Sequence, residues 1–401
     1  MPRQIAYICD WLPPDFGAIG QYTLLDARNT AAQGHHVLLG GLSTRADNTE
    51  YEDPGDGSLK IRRLYIDTYD KSHLIHRLLW TVRANTMLVR RLWRELRHAD
   101  EIHFTGSPPF ILYFVWFANL FLRKRLVYRI ADFHPECLMA TMERVPLPLR
   151  ALQRLTIVLR KRVHRFEAIG EDQRQRLIQL GIPEQRIGVV RYASPVPISP
   201  DTVPLTPPEE LAGYRTLLYS GNLGVAHDYE TFLEGYRRHH DQGAGRMALW
   251  LNATGPRADR LEEELRASGL PVARGHPVPL EELANLMVTP DAHLITLRDP
   301  FVGYVVPSKM YACIDSGRPI LFVGSTASDV DLLCRRERAD DYQQADVGDA
   351  TAVFTALERL SQRCDAAAPG DAASPAADQR TTRQQHATAA CANEGAKPSH
   401  G

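Results

Sequence analysis

Paired cysteines are missing from this chain. Its six, Cys9, Cys137, Cys313, Cys334, Cys364 and Cys391, are scattered over 401 residues with no CxxC pair and no zinc-ligand spacing. That excludes a disulfide scaffold and a zinc module, and indicates reduced thiols in a cytoplasm. A membrane-spanning run is missing too. The most apolar stretch, Phe110–Leu122, has 13 residues, whereas a hydrocarbon core of ~30 Å needs about 20. Met1–Ile8 is too short and too polar for a signal peptide. There is no GxGxxG fingerprint, no metal-ligand cluster and no fixed-period repeat. Nor is there a zinc finger, RNP-like strand or helix-turn-helix signature, so nucleic acid is not an expected partner. Net charge is scarce at −1, but unevenly spread. Residues 1–198 carry 28 Lys and Arg against 20 Asp and Glu, and the remainder carries 19 against 28. A basic first half suits an anionic surface or ligand, or is simply a solvated face.

What is present is alternation. Short apolar strands are predicted at Ile5–Cys9, Val37–Gly41, Leu59–Ile66, Glu101–Phe104, Leu126–Ile130, Glu167–Ile169 and Ile187–Val190, separated by helices that include His73–Arg97, Phe110–Leu122 and Leu147–Val163. That pattern argues a parallel sheet covered on both faces. Six prolines between Pro195 and Pro208 then read as a linker. The alternation restarts at Arg215–Tyr219 and runs to a helix at Ala350–Arg363. The expected organisation is α/β with two Rossmann-like domains, residues 1–198 and 213–364, joined by 199–212 and facing each other across a cleft. A tail at 365–401, rich in Ala, Pro, Gly, Gln and Thr, is expected to be disordered.

Three local patterns carry chemistry. Pro307-Ser308-Lys309 opens a helix that Gly317 and Pro319 stop, with a buried strand at Ile320–Val323 after it. Ser308 is expected to cap that helix, and free first-turn amides beside Lys309 would cradle a diphosphate. The first βα turn, Asp10 to Gly20, places Gly17 and Gly20 where backbone can approach a ligand, or where an ordinary glycine turn is needed. Its counterpart is Tyr219-Ser220-Gly221-Asn222-Leu223-Gly224, and Gly255-Pro256-Arg257 follows a later strand. Asp132-Phe133-His134-Pro135-Glu136 sits just past a strand end. Asp132 and His134 either contact an acceptor hydroxyl or the transferred sugar, or cap the next helix.

Taken in order, these segments resemble a known family. With Gln33-Gly34-His35-His36-Val37, Thr105-Gly106-Ser107-Pro108-Pro109 and Gly275-His276-Pro277-Val278-Pro279, they are similar to GT-B glycosyltransferases of the large retaining family 4. The similarity is greatest to the bacterial branch that builds exopolysaccharide and lipid-linked glycans, and it runs from about Ile5 to about Phe354. It implies a hexosyltransferase-type enzyme that takes sugar from a nucleotide-diphosphate donor, retains anomeric configuration and requires no metal. Gly17, Gly20, Ser220, Gly221, Asn222, Arg298, Ser308 and Lys309 would hold the donor. Lys309, Asp132 and His134 would be catalytic, with Lys309 and Arg298 neutralising the leaving diphosphate. The family's two glutamates align with Tyr304 and Ala312, so nearby Asp299 or Asp315 substitutes, or the chain is a degenerate sugar-nucleotide-binding accessory protein. Its usual His immediately before the Asp is here Ala131.

The helices of the first half suggest where an acceptor is met. In His73–Arg97 the stripe Ile75, Leu78, Leu79, Val82, Val89, Trp93 and Leu96 is expected to oppose a face of arginines. Arg123-Lys124-Arg125 follows Phe110–Leu122, and Arg160-Lys161-Arg162 ends the third helix. Basic-ended apolar helices suit the cytoplasmic face of an anionic inner membrane and a polyprenyl-linked or glycan acceptor, or simply cover the sheet. The alternative acceptor is a soluble small molecule.

Overall fold

A computed structural model describes residues 1–15, 17–68 and 74–366. The chain divides into two compact units. The first comprises Met1–Val189 with Gly303–Val306, and the second comprises the remainder.

The first unit runs β1 (Gln4–Trp11), α1 (Ala18–Ala32), β2 (His36–Ser43), β3 (Asn48–Glu52), β4 (Ser58–Tyr65), α2 (Leu74–Arg91), α3 (Trp93–His98), β5 (Glu101–Thr105), α4 (Ile111–Leu122), β6 (Arg125–Ile130), α5 (Glu136–Met139), α6 (Leu147–Arg160), β7 (Arg165–Ala168), α7 (Glu171–Gln179) and β8 (Ile187–Val189). Its sheet has the order β3-β4-β2-β1-β5-β6-β7-β8. Every pairing is parallel except β3 against β4. Strand β3 escapes a search for apolar runs because Asn48–Tyr51 are all exposed at the sheet edge. Two hydrophobic clusters cover the sheet, one including Leu24, Ala27 and Ala31 of α1 and the other built by α2, α3, α4, α6 and α7.

The expected helix His73–Arg97 is divided at Leu92 into α2 and α3. The face it buries is Trp80, Ala84, Leu88, Leu92 and Leu96, an i, i+4 row. A fully buried leucine contributes about 1.5–3 kcal/mol, so Leu88, Leu92 and Leu96 fix which way the helices face. Of the apolar stripe read from the sequence, Leu96 is buried, whereas Leu78, Leu79 and Val82 are exposed.

The second unit runs β9 (Arg215–Asn222), α8 (Glu230–Gln242), β10 (Met247–Thr254), α9 (Pro256–Ala267), β11 (Val272–Arg274), α10 (Leu283–Val288), β12 (Ala292–Thr296), α11 (Lys309–Asp315), β13 (Ile320–Val323), α12 (Asp329–Arg338), β14 (Tyr342–Ala345) and α13 (Ala350–Ala366). All of its pairings are parallel, in the order β11-β10-β9-β12-β13-β14. Residues 190–212 group with this unit, so the division falls at Val189 and not at 198. Leu211 explains part of this, being buried in a 3-10 turn that contacts β10 and β11. Of the expected tail, residues 365 and 366 complete α13, and 367–401 lie outside the described residues.

Each sheet reverses its winding once. In the first unit the reversal lies between β1 and β5, and in the second between β9 and β12. Carboxyl ends of strands at such a reversal point form the crevice where open α/β sheets bind ligands.

Candidate functional site

At the reversal point of the second unit, β9 ends in Ser220-Gly221-Asn222. Gly221 has φ +113, a backbone state that side-chain-bearing residues rarely adopt. A Cβ there would meet Lys309 Cε at 3.8 Å and Nζ at 3.9 Å, so the bare backbone of Gly221 faces this lysine. Lys309 begins α11, and its Nζ lies 3.2 Å from the centroid of the Tyr219 ring. The Nζ is buried and makes no hydrogen bond among the described residues. Burial pulls its pKa from 10.5 to about 7. A ring face offsets only part of the lost hydration of an ammonium, on the order of 2 kcal/mol. What remains is an amine poised near neutrality, which an adjacent anion would draw into its charged form.

The neighbours fix this geometry. His227 Nδ1 donates to the Thr296 carbonyl at 2.7 Å, and burial together with Lys309 holds the ring neutral, down to about 3. Arg298 ties the β9–α8 turn, its backbone N–H donating to Ala226 O at 2.8 Å and its Nη1 to Val225 O at 3.3 Å. Asp228 Oδ1 accepts from Thr231 N at 3.1 Å in the first turn of α8.

Two expectations here need correction. Ser308 occupies the cap position of α11, but its backbone is already helical and its hydroxyl makes no capping bond. The first-turn amides of Met310 and Tyr311 donate to Pro307 O and Ser308 O, which leaves those of Ser308 and Lys309 as the free donors among the described residues. Ala312 is buried within α11, and Tyr304 belongs to the first unit, where its carbonyl accepts from Phe133 N at 3.2 Å and Arg176 lies over its ring. Asp315 accepts from Ser194 N at 3.3 Å, and Asp299 is exposed.

The first unit's reversal point holds a different chemistry. Asp10, near the end of β1, accepts from Ser107 Oγ just beyond β5 at 2.5 Å. Its other oxygen is buried and meets no hydrogen-bond partner of good geometry among the described residues. Asp132 follows β6. Burial lifts both carboxyls to about 6, and the charge of Asp10 adds to the effect on Asp132. Gly106 presses on this corner, where a Cβ would sit 2.8 Å from Asp132 O. His134 is pushed down to about 4 by burial, so it is neutral. Its carbonyl accepts from Arg160 Nη2 at 3.0 Å. The same guanidinium grips Glu136 at 2.5 and 3.0 Å, both side chains fully buried. Arg160 thus positions the Asp132–Glu136 loop. Sequence reasoning named Asp132 and missed Asp10, although an acid closing an apolar strand is a visible signal. Gly20 serves packing, since a Cβ there would lie 1.8 Å from Trp11 O, whereas at Gly17 the distance is 3.3 Å.

No protein-family model matches the chain, and no curated protein does. Solved structures do match. The trehalose-6-phosphate synthase of Burkholderia multivorans aligns at 13% identity and TM-score 0.60, covering 100% of both chains. HepE of Anabaena, in complex with UDP and glucose, aligns at 13% identity and TM-score 0.60, covering 98% of this chain and 100% of its own. A Listeria monocytogenes protein assigned as a UDP-N-acetylglucosamine 2-epimerase aligns at 13% identity and TM-score 0.56, covering 100% of both chains. At such identities the likeness speaks for architecture, and the chain has the GT-B fold.

Proposed function

We propose that this chain is a glycosyltransferase that takes a sugar from a nucleoside-diphosphate donor. The observation that carries the proposal is Lys309, whose buried Nζ has no hydrogen-bond partner among the described residues and faces Gly221 at the sheet's reversal point. When the bond from the anomeric carbon to the diphosphate oxygen breaks, the electron pair stays with that oxygen. The Lys309 cation and the free amides of Ser308 and Lys309 stabilise the growing charge, with no metal required. Asp132 accepts the acceptor's proton, unless the departing phosphate does. Retention of configuration, a glycan or polyprenyl-linked acceptor in surface polysaccharide synthesis, and a place at the cytoplasmic face of the inner membrane complete the reading. One structural neighbour holding UDP and glucose, and another bound with UDP-2-fluoro glucose, support the donor class.

Two competing readings rest on particular residues. Ala312 and Tyr304 favour a binding-only accessory protein. The paired carboxyls of Asp10 and Asp132, both near neutrality, suit proton transfer in sugar-nucleotide epimerisation, the activity assigned to one neighbour. Incubation with a panel of UDP-, GDP- and ADP-sugars separates all three. Transfer or slow hydrolysis releases nucleoside diphosphate, seen by mass spectrometry, and Lys309→Met should abolish it. Tight binding with no release would establish the accessory role. A change of sugar configuration by NMR with the nucleotide still attached would establish the epimerase.

A further inference from the structure

Helix α4 has α2 on one side and α6 on the other. Their inner faces fill the core with Leu88, Leu112, Val115 and Leu159. Their outer faces are not polar. Leu79 is 65% exposed, Phe117 62% and Phe121 69%, and Val82, Leu155 and Val158 are exposed beside them. A groove of about 960 Å³ runs among these helices, its walls including Trp93, Trp116, Phe117, Phe121 and Leu155. A second of about 670 Å³ lies along α2 and shares Thr86 and Arg90 with it.

The charge on the groove walls is basic, although Arg83 and Arg91 of the smaller groove pair with Asp67 and Asp47 on neighbouring segments. The sequences of α2, α4 and α6 contain no aspartate or glutamate. Arg90 and Arg94 line the larger groove and make no ion pair among the described residues. Arg150 and Arg154 stand exposed on α6, and Arg123-Lys124-Arg125 follows α4 directly. Exposed apolar patches of this kind mark an interaction surface. Aromatic and aliphatic side chains bordered by arginines match the headgroup–acyl boundary of an anionic bilayer. The patch spreads over three neighbouring helices and not one seam, which suits a lipid surface better than a single partner helix. No helix among the described residues is long and apolar enough to cross a membrane.

We propose that the outer face of α2, α4 and α6 docks on an anionic lipid leaflet, with the aromatic groove taking one hydrocarbon chain of a membrane lipid. This deepens the acceptor side of the function proposed above, yet stands on different residues from the donor site. The test is flotation of the full chain with vesicles of equimolar phosphatidylcholine and phosphatidylglycerol, beside vesicles of phosphatidylcholine alone. Co-migration is expected only with the anionic vesicles and should fade in high salt. Each basic residue at such a surface contributes about fivefold, so R90Q/R94Q should weaken binding roughly 30-fold. Phosphatidylcholine brominated along its acyl chains and mixed with phosphatidylglycerol should quench tryptophan fluorescence, and W93F/W116F should remove most of that quenching. F117S/F121S should abolish the quenching while leaving the circular dichroism spectrum unchanged.

Absence of flotation, or equal binding to neutral vesicles, would overturn the proposal. So would bromine that fails to quench, or a wild-type dimer that F117S/F121S dissolves. UDP titrations of the same variants keep the two ideas apart. Retained UDP binding without flotation leaves the donor site standing, and flotation without UDP binding leaves the surface standing.

Discussion

Replacing Lys309 with methionine should stabilise the unliganded protein and weaken its hold on a nucleoside diphosphate. The side chain keeps its length and loses its charge. In the unfolded chain the ammonium persists up to about pH 10.5, but in the folded protein burial brings its pKa down to about 7. The gap of 3.5 pH units between these values corresponds to about 5 kcal/mol at most. Water reaching an open pocket screens much of it, so about 1–2 kcal/mol is expected. The folded pKa is depressed, so the penalty is complete below about pH 7 and is relieved as pH rises towards 10.5. The advantage of Lys309→Met in thermal unfolding should follow the same course, largest near pH 6 and gone near pH 10. Binding should move the other way. Charged hydrogen bonds are worth about 1.5–3 kcal/mol, so UDP affinity should fall roughly 10- to 150-fold. In the wild type, an anion beside Nζ raises its pKa, so binding takes up a proton, about 0.9 per UDP at pH 8. Calorimetry in buffers of different ionisation enthalpy reads that number, and the variant should show none from this site. A variant that is less stable than the wild type, or that binds UDP within about threefold with unchanged proton uptake, would refute the reasoning.

Gly20→Ala puts a Cβ 1.8 Å from the Trp11 carbonyl and should cost at least a few kcal/mol in urea unfolding, whereas Gly17→Ala, at 3.3 Å, should cost under about one. Asp10 and Asp132 are held up at about 6, so each costs stability as pH rises from about 4 through 6. Their Asn variants should therefore match the wild type near pH 4 and exceed it at pH 8 in thermal unfolding. If Asp132 takes the acceptor's proton, turnover rises with pH through about 6, and Asp132→Asn erases that limb. Arg160→Met leaves Glu136 buried and unpaired and should cost about 3–5 kcal/mol, most of it recovered in R160M/E136L. Turnover of that double variant should still be reduced, because the His134 carbonyl has lost its guanidinium and the Asp132 loop its anchor.

Most of the second unit's strands were legible because they are short apolar runs, and Ile320–Val323 and Ala292–Thr296 stand where the sequence places them. Strand β14 was not, since Tyr342-Gln343-Gln344-Ala345 reads as loop until β13 supplies its hydrogen bonds. Helix α12 escaped for a related reason. Its start depends on Ser328 Oγ accepting from Asp331 N, inside a run of charged residues with little apolar rhythm. Which face of α2 is buried was a matter of a few residues competing for burial. Several apolar residues lie off the i, i+4 row, and only the packing against the sheet decides between Leu79 and Trp80.

Strand order explains why half of the candidate site could be named and half could not. Lys309 and Gly221 were each visible, because a lysine at a helix start and a glycine at a strand end are local patterns. That they meet depends on α11 entering beside β9, which no local pattern encodes. Asp10 and Ser107 are 97 residues apart and become partners only because β1 and β5 are neighbours at the reversal of the first sheet. In an open parallel sheet, that reversal is the one place where successive loops part and leave a crevice. A sequence reader therefore gains most by predicting strand order first and then asking which strand-end residues adjoin the reversal. Applied here, that rule selects Asp10 and Ser107 in one unit, and Ser220–Asn222 and Arg298 in the other.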